Sequence, residues 1–136
     1  AGPSGGAEFV ARRGPAGWQV ESASFRCAEM FALQRRQAQD VALRFLETLR
    51  GGSLEELRRQ MHPRLLASLP PEVLERSARL FTARVTSVRI VEERTQASHP
   101  AYRVAASVRR QDGGSQPATV DVLRSQGRHW IVAFQI

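Results

Sequence analysis

Residues 101–136 read AYRVAASVRRQDGGSQPATVDVLRSQGRHWIVAFQI, and this stretch decides the fold. Apolar and polar residues alternate from Tyr102 to Val108, and the alternation resumes after the turns Asp112-Gly113-Gly114 and Ser125-Gln126-Gly127. A period of two is typical of strands with one buried face. Because the connections are too short for parallel crossovers, consecutive strands must pair antiparallel. The sequence after Thr82 therefore predicts an antiparallel meander.

The final strand is predicted from the spacing of its large apolar residues. Trp130, Val132, Phe134 and Ile136 lie two residues apart, so strict alternation places all four on the inner face of the sheet. The same face is predicted to carry Tyr102. One apolar face of such a sheet must be covered by other elements.

Residues 27–50 have a helical rather than a strand period. Their apolar residues recur at spacings of three, four and seven: Cys27, Phe31, Ala38, Val41, Ala42, Phe45 and Leu49. This pattern predicts a long amphipathic helix with Phe31 and Phe45 on its buried stripe. Gly51-Gly52 is predicted to end it, since glycine tolerates the left-handed backbone that closes a helix.

Two shorter helices are predicted next. Ser53 and Glu56 form a capping box that starts the first of them, and Pro63 prevents its continuation. Pro70-Pro71 starts the second. The predicted fold class is α+β, with one long and two shorter helices packed on a curved antiparallel sheet.

The N-terminal region carries a separate prediction. Residues 1–7 are expected to be a flexible lead-in, and alternating segments around a Gly/Pro turn predict a β-hairpin over residues 8–26. Residues 10–20 and 122–132 both end in Trp-x-Val after an Arg/Gly-rich turn. The hairpin therefore belongs either to the same domain or to the tail of a preceding copy. The α+β domain itself is predicted over residues 27–136.

The order of these elements resembles the nuclear-transport-factor-2-like superfamily of cone-shaped domains. The resemblance is carried by FLETLRGGSLEEL at 45–57, by Met61-His62-Pro63 and by the ending GRHWIV at 127–132. It implies a curved sheet that wraps a long helix over residues 27–136. It is closest to non-enzymatic accessory members in secretion machines, translocases and lipoproteins.

Because fold does not determine function, the superfamily allows two expectations. The first is a non-enzymatic accessory or assembly domain that contacts other proteins in a cell-envelope, transport or secretion complex. The alternative is a small-molecule binder or an enzyme of the isomerase or dehydratase kind. The steroid-isomerase branch implies an aspartate base and an aromatic hydroxyl, for which Asp40 and Tyr102 are the weak candidates. A pocket between sheet and long helix has five lining candidates: Phe31, Phe45, Tyr102, Trp130 and Phe134.

The charge favours acidic partners. The chain has 20 basic and 13 acidic residues, a formal net charge of +7, and every basic residue is arginine. A basic surface is predicted from ten residues: Arg12, Arg13, Arg35, Arg36, Arg58, Arg59, Arg89, Arg103, Arg109 and Arg110. The expected partners are proteins of a larger complex, with a second copy bound through sheet edges or an anionic membrane surface as further options. Because most aromatics fall on predicted core faces, nucleic acid is disfavoured.

No cofactor or metal is predicted. His62, His99 and His129 share no metal-ligand spacing, and Cys27 is the only cysteine. The compartment stays open: the cell envelope is favoured, with the mitochondrial matrix or the cytoplasm as alternatives.

Overall fold

The computed structural model describes the backbone of residues 15–136 and the side chains from Cys27 onward. The predicted lead-in, the first strand of the predicted hairpin, Arg12 and Arg13 lie outside the described residues. The chain divides into two units between Arg36 and Gln37, and the sheet and shorter helices belong to the second unit, Gln37–Ile136.

The long helix α1 spans Pro15–Gly51, so the predicted strand over residues 18–25 is wrong. Proline suits the first turn of a helix, where its missing N–H costs no hydrogen bond. No glycine or proline follows from Trp18 to Arg50, so nothing in this stretch breaks the helix. The short alternation that predicted a strand therefore lies within a helix.

Only the C-terminal part of the predicted apolar stripe of α1 is buried. Phe45 is fully buried, whereas the side chain of Phe31 is 40% exposed. Among the described side chains of α1, from Cys27 onward, the first buried residue is Ala38, and Ala42, Leu46 and Leu49 are buried as well. The helix ends as predicted, with Gly52 at a φ of +79° and its N–H donating to the carbonyl of Thr48 at 3.0 Å.

Three short helices follow, one more than the sequence predicts. They are α2 (Leu54–Gln60), α3 (Pro63–Ser68) and α4 (Pro71–Leu80). The cap at Ser53 is confirmed, because its side-chain oxygen accepts from the N–H of Glu56 at 3.4 Å. The helix that was not predicted is α3. Its first residue is Pro63, and His62 caps it by accepting the N–H of Arg64 at Nδ1.

The predicted meander is confirmed. Strands β1 (Arg84–Gln96), β2 (His99–Arg109), β3 (Ser115–Ser125) and β4 (Arg128–Gln135) form one antiparallel sheet in the order β1-β2-β3-β4. The core of the second unit lies between the inner face of this sheet and the helices. Its fully buried larger side chains are Phe45, Leu46, Leu49, Leu57, Met61, Val104, Val108, Val120, Val122 and Ile131.

Strict alternation in β4 is a wrong prediction, because the ladder between β3 and β4 shifts register. Val120 pairs with Phe134, but Val122 pairs with Ile131, which leaves an extra residue in β4. Ile131 and Phe134 therefore share the core face, and the ring of Phe134 lies 5.1 Å from that of Phe45. Trp130 and Val132 lie on the opposite face, half-buried.

The turn between β1 and β2 contains two strained residues. Gln96 pairs with His99, so Ala97 and Ser98 form a two-residue turn, with φ of +49° and +68°. Side chains are disfavoured there because Cβ crowds the following carbonyl. We expect the double substitution Ala97→Asn, Ser98→Gly to raise the free energy of unfolding by about 1 kcal/mol in urea titrations.

The turn between β3 and β4 allows the reverse test, in which a glycine of positive φ is replaced by a residue with a side chain. Gly127 has a φ of +76°, so Gly127→Ala should lower the free energy of unfolding by a similar amount. A loss of stability from the double substitution at Ala97 and Ser98 would contradict the turn geometry.

Candidate functional site: an arginine-lined cleft

An open cleft of about 430 Å³ lies at one end of the second unit, between α1, α2 and the turn from β3 to β4. We call it the arginine cleft. Its lining residues are Gln37, Asp40, Val41, Arg44, Gln60, Arg124, Gly127, Arg128 and His129. Three guanidinium groups face one carboxylate, so the charged side chains of the lining sum to +2. This volume is in the range of ligand pockets.

Two of the arginines are not engaged by other groups in residues 27–136. Arg44 on α1 and Arg124 on β3 have no ion pair or side-chain hydrogen bond within that part of the chain. Asp40 lies one helical turn before Arg44, yet no ion pair joins them. The two guanidiniums thus keep their hydrogen-bond donors for an acceptor that enters the cleft.

Arg128 is held in place from two sides. Its Nη2 donates to the carbonyl of Arg59 at 2.9 Å, and its Cζ lies 3.7 Å from the ring centroid of Trp130. Trp130 is fixed in turn, since its Nε1 donates to the carbonyl of Ser125. A guanidinium held by a cation–π contact and a backbone acceptor loses less freedom when it binds an anion.

Gln60 supplies a buried acceptor among the lining residues. It is only 8% exposed, and its Nε2 donates to Thr48 Oγ1 at 3.1 Å and to Glu56 Oε2 at 3.4 Å. Those two contacts fix which end of the amide is which. Its Oε1 is buried and accepts no hydrogen bond from residues 27–136. Because this oxygen is closed to solvent, it is the exposed carboxylate of Asp40 that presents an acceptor to the cleft.

The lining also includes a buried histidine. His129 is 9% exposed and pairs across the ladder with Arg124, and its ring centroid lies 6.3 Å from that of Tyr102. Both His129 and Arg124 extend the inner face of the sheet beyond its apolar part. This end of the core is therefore polar.

The two weak catalytic candidates do not share a pocket. Asp40 is exposed and lines the arginine cleft, whereas Tyr102 is 5% exposed within the core and is not part of the cleft lining. A general base must lie within hydrogen-bond reach of the proton that it removes. The structure brings no aromatic hydroxyl to Asp40 in the lining of this cleft.

The five pocket-lining candidates lie in three different environments. Phe45, Tyr102 and Phe134 pack in or against the core, Trp130 lies on the opposite face of the sheet, and Phe31 is exposed on α1. The ring of Trp130 contacts that of His62 edge-on, with centroids 5.5 Å apart. The five do not line one cavity together.

The predicted basic surface is spread over several elements, and some of its members are paired. Arg59 donates to Glu55 and Glu56, and the hydrogen bond to Glu55 raises the pKa of Arg59 most. Arg103 donates two hydrogen bonds to Asp121, which raise its pKa.

Arg110 lies at the turn that connects β2 and β3. Its Nε lies 3.3 Å from Asp112 Oδ1, and the N–H of Gly114 donates to the same oxygen at 2.8 Å. The backbone hydrogen bond, followed by that from Arg110, lowers the pKa of Asp112. The other candidates in the described residues are Arg35, Arg36, Arg58, Arg89 and Arg109.

Arg44, Arg124 and Arg128 line the cleft but are not among the site residues predicted from the sequence. Arg124 had a signal, because it continues the inward alternation of Ala118, Val120 and Val122 with a charge. A charged residue in a core position marks the point where the core opens to solvent. Arg44 and Arg128 had no comparable signal, since each is one of many exposed arginines.

A second cleft of about 460 Å³ involves the outer face of the sheet and α3. Its lining combines Leu65, Leu123 and Val132 with His62 and His99. No group of three histidine, cysteine or acidic side chains in the described residues could hold a metal ion. The two histidines give this cleft a polar rim.

Comparison with known proteins finds no family model, no curated protein and no solved structure that matches the chain. None of the helices in the described part of the chain combines the length and the apolar composition of a membrane span.

Proposed function

We propose that this chain is a non-enzymatic assembly domain that binds an acidic segment of a partner protein in the arginine cleft. The observation that carries the proposal is the charge of the lining: Arg44, Arg124 and Arg128 face only one carboxylate, that of Asp40. Guanidinium groups recognise carboxylates through paired, charge-assisted hydrogen bonds. The contact would join this domain to a larger complex of the transport or secretion kind that the superfamily resemblance implies.

The acceptors in the lining favour a peptide over a simple anion. The carboxylate oxygens of Asp40 can accept backbone N–H groups, which a peptide has and inorganic phosphate lacks. An acidic polypeptide satisfies both kinds of group.

The enzyme alternative has less support. The space between the sheet and α1 is filled by side chains such as Phe45, Val122 and Ile131, each fully buried. Asp40 and Tyr102 do not meet in the arginine cleft. The site therefore offers recognition of charge, and its lining does not bring Asp40 to the hydroxyl of Tyr102.

Self-association through the sheet edges also has less support. The outer edge of β1 carries two bulges and five charged residues, features that discourage edge-to-edge pairing. The edge of β4 is partly occupied, because the N–H of His62 donates to the carbonyl of Ile131 at 2.8 Å. A partner that binds side chain to side chain fits the structure better than one that adds a strand.

The proposal is tested by fluorescence anisotropy with a labelled oligo-glutamate peptide. We expect Arg124→Glu to weaken binding about tenfold or more, because it removes a charge-assisted hydrogen bond and adds a like charge. Binding should also weaken steeply between about 0.05 M and about 0.3 M salt, since the cleft is open to solvent.

Arg76→Glu is the matched control, because Arg76 is exposed on α4 and outside the cleft. It makes the same change in net charge and should weaken binding by much less. Equal losses for the two variants, or binding of an oligo-glutamine peptide with the same affinity, would contradict a defined site. Tight binding to anionic lipid vesicles without binding to the peptide would replace the protein partner with a membrane surface.

A further inference from the structure

His129 lies among the cations of the arginine cleft without taking part in the proposed ion pairs. Its side chain is almost fully buried, and it is the cross-strand neighbour of Arg124. An imidazole changes its charge within the pH range of living cells more readily than any other side chain. Its protonation state therefore matters for anything that binds beside it.

The charged and polar groups that line the cleft with His129, or that contact its ring, come from every element around the cleft. Arg44 and Asp40 come from α1, Gln60 from α2, Tyr102 from β2, Arg124 from β3 and Arg128 from β4. Three of these groups are cations and one is a carboxylate. In general, burial and neighbouring cations both disfavour a charged imidazole.

We infer that binding of a carboxylate in the arginine cleft is coupled to protonation of His129. The inference rests on the proposed function and adds a regulator to the same site. A bound carboxylate neutralises neighbouring guanidiniums and brings a negative charge close to the ring, so that the imidazole takes up a proton from water. The cationic ring then stabilises the bound anion in turn, because coupling between two ligands is reciprocal. Acidic segments thus bind more tightly as pH falls.

The experiment measures the oligo-glutamate affinity at about pH 7.5 and about pH 5.5, a range over which histidine titrates and most glutamates stay charged. We expect the wild-type chain to bind about fivefold or more tightly at the lower pH. His129→Gln, which keeps a polar side chain, should remove this dependence. His99→Gln is the control, since His99 lines the second cleft, and it should leave the dependence intact.

A measurement on the wild-type chain covers the case in which His129→Gln does not fold. NMR of the His129 ring protons, followed through pH with and without the peptide, should show the ring protonated at higher pH when the peptide is bound. Two results would overturn the coupling without contradicting the proposed function. One is equal affinity at both pH values, and the other is a titration of the His129 ring that is the same with and without the peptide. No binding at either pH would overturn the proposed function and the coupling with it.

Discussion

We expect Phe45→Ala to lower the free energy of unfolding by about 3–5 kcal/mol, as is usual when a fully buried phenylalanine is truncated. Phe45 is completely inaccessible to solvent, and its ring lies 5.1 Å from that of Phe134. The substitution removes apolar burial and leaves a cavity between α1 and β4, which close neighbours fill only in part. A domain of this size is stable by about 5–15 kcal/mol, so this single change removes a large share of it.

Urea denaturation followed by circular dichroism measures the effect, and Phe31→Ala is the matched control. Phe31 is the same residue type on the same helix but is 40% exposed, and we expect its truncation to cost about 1 kcal/mol or less. The sequence pattern assigns both phenylalanines to one buried stripe, whereas the structure distinguishes them. Equal losses for the two variants would show that the stripe is buried along its whole length.

The elements that the sequence predicts well are those with strong local signals. Gly52 ends α1, Ser53 caps α2, and the glycine turns at residues 112–114 and 125–127 separate β2, β3 and β4 as expected. In each case the backbone conformation is decided by one or two residues. Local chemistry of this kind does not depend on the rest of the fold.

The errors arise where tertiary contacts or chain continuity overrule a short pattern. Residues 18–25 alternate like a strand, but they lie in a stretch without helix breakers and join α1. The short helix α3 has only six residues, too few for a periodic pattern to reveal it. The bulge in β4 depends on how Val122 and Ile131 meet across the ladder, which no spacing within β4 encodes.

The arginine cleft could not be predicted from the sequence, for a related reason. Its cations come from positions as far apart as Arg44 and Arg124, and a chain with 20 arginines gives no reason to select these two. Adjacent pairs such as Arg109 and Arg110 attract attention in a sequence, yet β2 ends at Arg109 and Arg110 belongs to the turn that follows. Convergence in space is what makes a site, and here it results from the packing of α1 and α2 against the turn from β3 to β4.

The register of β4 yields the second large effect. We expect Ile131→Asp to lower the free energy of unfolding by about 4 kcal/mol or more, because it buries a carboxylate with no cation beside it in the apolar core. Ile131 is fully buried and faces Val122 across the ladder. If Ile131→Asp shows no cooperative urea transition at room temperature, the variant is already unfolded, which also confirms this prediction.

Val132→Asp is the control that distinguishes the bulged register from strict alternation. Val132 is half-buried and lines the second cleft, where the carboxylate can reach water and lie near His62 or His99, so we expect a loss of about 1.5 kcal/mol or less. Strict alternation predicts the reverse order, with Val132 in the core and Ile131 outside it. If Val132→Asp unfolds the chain and Ile131→Asp does not, then Trp130 belongs to the core. In that case Arg128 loses the fixed ring that holds it in the arginine cleft, and the proposed site loses one of its three cations.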